Sequence, residues 1–291
     1  MPLVVRCCRN AAEAARVRRF LDREFVVSRR RLPRLARRFP QAFAAGMHAN
    51  LVFAELEGRI AGALVMRLFD WSWKGRRERG AMLGAVCTAP GLRGQGVATA
   101  VLGFARRRAA ARGASFAVLW TAQPQVYRAS GWRSCDRALR GDWITGTTAA
   151  RLRPGKRIDV ATAKRLRRMR STLQPDGVLR SARDFTAIPM PATRVEAFFH
   201  DGAYALAGRR AGEGFVYEMA GPEASFDGLV ERLQGAFRRV TVNCAANGAV
   251  QRAFARRARF AWHPQQLAMW LPLARRCPPF ARWYVEYLDR I

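Results

Sequence analysis

Apolar positions in the first 140 residues alternate between short runs and helical spacings. Residues 3–8 form a short apolar run that predicts a strand. Ala14, Val17, Leu21 and Phe25 then recur every three or four positions, which predicts an amphipathic helix over 11–25. Asn10 is placed to cap it, and Glu13, three residues on, completes a capping-box spacing. A second helical segment is predicted within 32–45, bounded or interrupted by Pro33 and Pro40. The apolar runs 51–56 and 59–69 are separated only by Glu57-Gly58, the pattern of a tight β-hairpin. Residues 81–88 read as the next strand, which Pro90 stops. Val97, Val101, Ala105 and Ala109 mark a helix that ends near Arg112, before Gly113. A strand at 116–120, a short helix at 123–129 and a strand near 136–139 complete the first half.

Gly141, Gly146, Pro154 and Gly155 interrupt every periodic signal, and beyond them the pattern repeats in outline. The predictions are a helix over 161–169, a hairpin from 203–207 and 214–219, and an amphipathic helix over 226–237. A strand at 240–244, a helix at 249–257 and a strand at 267–271 follow. The halves read as a diverged duplication. The fold class expected is α+β, with a central mixed β-sheet flanked by helices in each of two domains, 1–145 and 146–274. The tail 275–291, rich in aromatics such as Phe280, Trp283, Tyr284 and Tyr287, is expected to dock back onto the body.

Composition narrows the setting. Half of the 291 residues are hydrophobic, enough to bury one large core or two ordinary ones. Arg6 arrives before any secretory-length apolar core and no membrane-length apolar run occurs, so neither an export signal nor a membrane span is expected. Cysteines at 7, 8, 87, 135, 244 and 277 suit neither a disulfide framework nor a zinc ribbon, and His48, His200 and His263 are far apart. No metal site is expected, and the reducing cytoplasm is the expected compartment. Charge is the unusual property: 52 Lys and Arg face 21 Asp and Glu, a formal net charge of +31. Such a surface attracts anions and binds nucleic acid non-specifically at low salt. No motif for specific nucleic-acid recognition accompanies it.

The candidate chemistry lies in a glycine loop. Arg93-Gly94-Gln95-Gly96-Val97-Ala98 stands between a predicted strand and a predicted helix. A helix N-terminus supplies unpaired N–H donors and the positive end of its dipole, and glycines allow close approach, so the segment suits a phosphate. Arg93 adds a cation for a charge-assisted contact. The spacing fits neither the nucleotide-hydrolysing phosphate loop nor the dinucleotide fingerprint. On spacing alone, a glycine-capped strand-to-helix turn is the alternative.

Residues 88–102, Thr-Ala-Pro-Gly-Leu-Arg-Gly-Gln-Gly-Val-Ala-Thr-Ala-Val-Leu, resemble the acetyl-coenzyme A motif of the GCN5-related N-acetyltransferase (GNAT) superfamily, Arg/Gln-x-x-Gly-x-Gly/Ala, met by Arg93, Gly96 and Ala98. Val126-Tyr127-Arg128-Ala129-Ser130-Gly131-Trp132 is similar to that family's Tyr-x-x-x-Gly-Phe element. The resemblance implies that amides from Arg93 to Ala98 hold the coenzyme A pyrophosphate. It also implies that the strand at Val86, Cys87 and Thr88 pairs with the pantetheine arm, and that Tyr127 protonates the departing thiolate. The reaction implied is direct attack of an amine on the thioester of acetyl-CoA, without a protein nucleophile.

The whole chain resembles the bacterial tandem acetyltransferases of the enhanced-intracellular-survival group, an active first domain followed by a degenerate second. The sequence is too short for that group's sterol-carrier-like third domain. Since the group's terminal carboxylate reaches the active site, Ile291, with Asp289 or Glu286 as alternatives, is the expected counterpart. In the second half, Gly221-Pro222-Glu223-Ala224 lacks the motif and Phe254 stands where the tyrosine would be. Asp22 or Glu24 is the candidate base, and Trp71, Trp73 and Trp120 are candidates for the pocket wall. A small-molecule amine is the expected acceptor, and an acidic protein partner fits the charge. The alternatives are a silent scaffold or basic nucleic-acid binder, and transfer of a longer acyl group from acyl-CoA or an acidic acyl carrier protein.

Overall fold

A computed structural model describes residues 2–25, 35–43, 46–147, 153–174, 176–186, 194–257, 260–265, 267–278, 284–286 and 289–290. In chain order the first half gives β1 (Val4–Cys7), α1 (Ala11–Phe25), α2 (Leu35–Arg38), α3 (Pro40–Phe43), β2 (Leu51–Leu56), β3 (Arg59–Trp73), β4 (Arg76–Thr88), α4 (Val97–Ala111), β5 (Phe116–Trp120), α5 (Gln125–Arg128), β6 (Arg133–Ser134) and β7 (Ala138–Ile144). The second gives β8 (Lys156–Arg157), α6 (Val160–Leu173), β9 (Gly177–Val178), β10 (Arg194–His200), β11 (Ala203–Arg210), β12 (Glu213–Ala220), α7 (Phe226–Ala236), β13 (Arg239–Ala245), α8 (Ala249–Arg257), β14 (Ala261–Gln265) and β15 (Ala268–Pro272).

Two mixed sheets form, in the orders β1-β2-β3-β4-β5-β15-β6, with β9 on β3, and β14-β7-β13-β12-β11-β10-β8. Helices cover both faces of the first, so its strands read as continuous apolar runs whose alternate residues serve opposite cores. Phe53, Val65, Met82, Phe116 and Val118 pack with Val17 and Leu21 of α1. Their neighbours Val52, Leu64, Leu83, Ala117 and Leu119 pack with Val101 and Ala105 of α4. Four hairpins turn on a residue followed by glycine: Glu57-Gly58, Lys74-Gly75, Asp201-Gly202 and Ala211-Gly212 all have positive φ. Left-handed pairs of this kind match the twist of the strands they join. The second of these turns extends β3 and β4 well past the lengths expected from their apolar runs.

In each half a hairpin leads to a helix and then to a strand parallel to the hairpin's last strand: β4 pairs parallel with β5, and β12 with β13. The duplication expected from the sequence is thus present in the architecture. Sheet membership, however, departs from a division at 145. β7 pairs with β13 and β14 in the second sheet, whereas β15 pairs with β5 and β6 in the first. Each half lends its late strand to the other, which covers an edge of β5 and of β13 that would otherwise be open.

The capping spacing at α1 acts one residue away from its simplest form. Asn10 Oδ1 accepts the Glu13 N–H at 2.9 Å, but the Glu13 carboxylate reaches back to the Arg9 N–H at 2.8 Å and to the Arg6 guanidinium at 2.7 Å. On the other half, Arg252, Arg256 and Arg257 of α8 pair with Glu223 just before α7 and with Asp227 and Glu231 on it, neutralising part of one arginine cluster. All six cysteines are free thiols. Among the described residues no helix is long and apolar enough to cross a membrane, and no group of three potential metal ligands occurs.

The described part of the tail docks as expected. Asp289 and Arg290 are buried, and Asp289 makes a bidentate pair with Arg180 at 2.6 and 2.7 Å. Glu286 Oε1 accepts from Gln174 Nε2 at 3.0 Å. Although Glu286 keeps some exposed surface, burial of its carboxylate and the nearby Glu218 push its pKa up to about 7, against the pull of Arg170 and Arg180. A carboxyl raised in this way holds its proton in the folded state after the unfolded chain has lost it, so its contribution falls as pH rises from about 4.5 to about 7. Glu286→Gln is expected to remove a decline on the order of 2 kcal/mol across that window. Denaturant unfolding of both proteins at pH 5 and pH 8 measures the difference; parallel pH dependences would contradict it.

Candidate active site

The site begins where β4 and β5 part. They are paired at Gly80 to Met82 with Phe116 to Val118 and no further. A bulge opposite Ala63 to Val65, with Ala85 at φ 49°, bends β4 away while leaving it on β3. On its other edge β5 stays paired with β15 throughout, Leu119 with Met269 and Trp120 with Ala268. The facing edges of residues 83–88 and 119–121 therefore bound a cleft of about 800 Å³. Its walls include Val86, Cys87, Thr88, Arg93, Gly94, Gly96, Val97, Ala98, Trp120 and Tyr127, most of the residues singled out from the sequence.

The glycine loop closes one end. Gly94 and Gly96 both have φ 78°, and Gly96 caps α4 in the left-handed region. A Cβ at Gly91, Gly94 or Gly96 would meet nothing within 4 Å, so open space stands over the loop. Behind it the fit is close: a Cβ on Gly62 would lie 2.7 Å from Val97 Cγ1. The first backbone bond of α4 runs from the Ala100 N–H to the Gly96 carbonyl, 3.0 Å. The amides of residues 94–99 donate to no acceptor among the described residues, as expected of an uncapped helix start. Arg93 is exposed at this end and makes no ion pair among the described residues. The Gln95 side chain turns away from the cleft, its Nε2 donating to the Gly91 carbonyl at 3.2 Å and bracing the loop.

Tyr127, on the single turn α5, lines the same cleft, its ring edge-on to Trp132, centroids 6.3 Å apart. Burial pushes its phenol pKa up, so the hydroxyl is protonated at neutral pH. Of the two candidate carboxylates, only Glu24 faces the cleft, and it is the one acidic residue among the described lining residues. Its carboxylate takes the Arg23 Nε at 2.8 Å. Asp22 Oδ1 instead accepts the Leu35 N–H at 2.9 Å, at the start of α2. Trp120 lines the cleft, while Trp71 and Trp73 line a separate cavity beside the tail. Ile291 lies outside the described residues; Arg290 before it places its guanidinium 5.7 Å from the Trp120 ring centroid. The wall formed by Thr121 and Gln123 was not read from the sequence, although its position just before the Tyr127 element marks it as a strand-to-helix turn.

The profile of the acetyltransferase (GNAT) domain family matches residues 10–135. This segment, less than half of the chain, is similar to GNAT domains. No protein of curated function matches the sequence. Solved structures share the fold across both halves. A GCN5-related N-acetyltransferase from Kribbella flavida is 17% identical, with a TM-score of 0.72 over 94% of this chain and 72% of its own. A probable N-acyltransferase from Enterococcus faecalis is 14% identical, with 0.72 over 94% and 73%. Eis1 from Mycobacterium abscessus is 16% identical, with 0.63 over 94% and 74%. At these identities the likeness is one of fold, and it includes the tandem arrangement. GNAT domains are N-acyltransferase modules that use coenzyme A thioesters, and the enzyme class read from the two motifs stands at that level.

Among the described residues, the second half offers no matching loop or tyrosine. Gly221-Pro222 leads into α7, and Glu223 is engaged by Arg252 at 2.7 Å. Phe254, the counterpart of Tyr127, is fully buried and carries no proton to give.

Proposed function

We propose that the chain is an acetyl-CoA-dependent N-acetyltransferase whose active site is the cleft between β4 and β5. The observation that carries this reading is the run of unpaired amides at 94–99 beside an 800 Å³ cleft that Tyr127 also lines. Those amides and the α4 dipole hold the pyrophosphate, with Arg93 as its countercharge. The splayed edge at Val86, Cys87 and Thr88 supplies backbone partners for the pantetheine amides.

An amine entering from the Trp120 side gives up its proton to Glu24, directly or through water. Its nitrogen then attacks the thioester carbonyl carbon, the carbon–sulfur bond breaks, the thiolate takes the Tyr127 hydroxyl proton, and the second proton lost by the nitrogen passes through water to the tyrosinate, restoring the phenol. The products are an acetamide and coenzyme A. The Ile291 carboxylate joins the acceptor side in this reading, with Arg290 already seated on Trp120. A small amine is the acceptor; the +31 charge disfavours polycations unless carboxylates such as Glu24 dominate locally.

Titration calorimetry with acetyl-CoA tests the donor site. Arg93→Ala is expected to weaken binding by about tenfold, the loss of a single charge-assisted contact. An unchanged dissociation constant would remove Arg93 from the cradle, and no heat with the unaltered chain would remove the reading altogether.

A further inference from the structure

The excess of basic residues is not spread evenly over the surface. Around α1, Arg6 and Arg9 pair with Glu13, Arg16 with Glu55 and Arg23 with Glu24. On α8, Arg252, Arg256 and Arg257 meet carboxylates of α7 and the turn before it. On α6 the charges are left bare. That helix has five cations and no acid, and only Arg170 turns inward, to Glu218. Lys164, Arg165, Arg167 and Arg168 are exposed and make no ion pair among the described residues. Those three or four positions apart have Cβ atoms on the order of 5–6 Å from each other, where like charges repel. An anion from outside removes that cost.

A groove of about 560 Å³ adjoins this face, between α7 and the strands β8 and β10. Ala197, Phe198 and Phe199 supply its apolar wall. Arg153, Lys156 and Arg232 also line it, all exposed and without an ion pair among the described residues. Glu231, the acid among the described lining residues, is held by Arg257 at 2.5 Å. A Cβ at Gly235 would meet nothing within 4 Å, so the α7 wall is bare there. Groove and helix are continuous: β8 ends at Arg157, α6 begins at Val160, and Arg165 places its guanidinium 4.0 Å from the Phe199 ring centroid. Asp159 between them, near Lys156, is engaged as the α6 cap, accepting the Thr162 N–H at 2.7 Å.

We propose that this face of the second half binds a single-stranded nucleic acid, its phosphates on the cations of α6 and the groove rim and a base in the groove against Phe199. A positive track for the backbone, with an aromatic surface for a base, holds single strands without sequence preference. Most of the cations are arginines, whose planar fork grips a phosphate through two hydrogen bonds and is less strongly hydrated than an ammonium. An acidic protein is the less suited occupant, because protein interfaces are depleted of charge at their centre and this face is dense in it. The proposal is independent of the donor reading above. It gives the half that lacks the glycine loop and the tyrosine a binding task of its own.

The test is fluorescence anisotropy of a labelled oligouridylate about 16 nucleotides long, titrated with the full-length chain over a range of salt. Lys164→Ala/Arg167→Ala/Arg168→Ala alters exposed side chains only. It is expected to weaken binding roughly 30-fold and to lower the slope of log affinity against log salt by about 2, the release expected for three phosphate contacts. Arg106→Ala/Arg107→Ala/Arg112→Ala removes the same charge from α4 and is expected to weaken binding less than about threefold. Phe199→Leu keeps the bulk but not the ring face, and is expected to cost about tenfold with the salt slope unchanged. Equal losses in the α4 and α6 variants would overturn the site, leaving only diffuse attraction. A duplex of the same length bound as tightly, with no effect of Phe199→Leu, would overturn the single-strand assignment. Displacement of the oligonucleotide by polyglutamate of equal charge at equal concentration would give the face to an acidic protein and overturn the proposal. Acetyl-CoA calorimetry on the α6 variant should match the unaltered chain, and a failure of the chain to bind acetyl-CoA would strike the donor reading alone.

Discussion

Tyr127→Phe is expected to lower kcat by about 100-fold or more while leaving acetyl-CoA affinity within about twofold. The expectation follows from what the substitution changes. The ring packs edge-on against Trp132 and contributes apolar wall to the donor cleft, and phenylalanine preserves both. Only the hydroxyl is lost. Burial raises its pKa, so at pH 7 it carries the proton that the leaving thiolate needs. A thiolate expelled without a proton donor is a poorer leaving group, and the effect appears in turnover rather than in binding. Steady-state kinetics monitored by thiol release, with calorimetry for the donor, separate the two. Equal turnover in both proteins would assign the phenol to packing. A pH profile adds a check: the basic limb that reports the phenol should disappear in the variant.

The site was legible where chemistry is written locally. The glycine loop and the Tyr127 element are contiguous motifs, and both stand where their spacing put them. Choosing between Asp22 and Glu24 was a matter of helix phase. Two residues on an α-helix are about 200° apart, so only one can face a given cleft, and a sequence window does not say which. The tertiary partner decides: Asp22 is taken by the start of α2. Strand existence was equally legible wherever the core is apolar. β10 was missed because its run Val195-Glu196-Ala197 carries a carboxylate into the interior. Glu196 is satisfied there by Arg209 at 2.7 Å and by the Gly155 N–H at 2.9 Å, partners more than ten residues away. The exchange of β7 and β15 has no local signature at all. It depends on which edge each strand finds open after both sheets have formed, a non-local property that apolar periodicity does not encode.

The largest effect on stability is expected at Glu218. This β12 carboxylate is fully buried, and Arg170 and Arg180 each approach its Oε2 at 2.7 Å. It also accepts the Tyr204 hydroxyl. Both guanidiniums are nearly inaccessible to water, so the cluster holds two buried cations against two buried anions, Glu218 and Asp289. Removing Glu218 leaves both guanidiniums facing Asp289 and the neighbouring Glu286 carboxyl, with little solvent to screen them. Glu218→Gln, which keeps the shape and discards the charge, is therefore expected to cost about 3–5 kcal/mol in denaturant unfolding. Glu223→Gln provides the contrast. Its bidentate pair with Arg252 has comparable distances, 2.9 and 2.7 Å, but both side chains are exposed. Water replaces the lost partner there, and the expected cost is far smaller. A similar loss in the two variants would mean that water reaches the Arg170–Arg180 cluster. Because Asp289 shares those arginines, the Glu218 variant should also pull the tail more strongly onto Arg180. Its stability loss then arises in β12, α6 and the segment after β9, not in release of the C-terminus, and exchange over 284–290 should stay slow until the sheet itself unfolds.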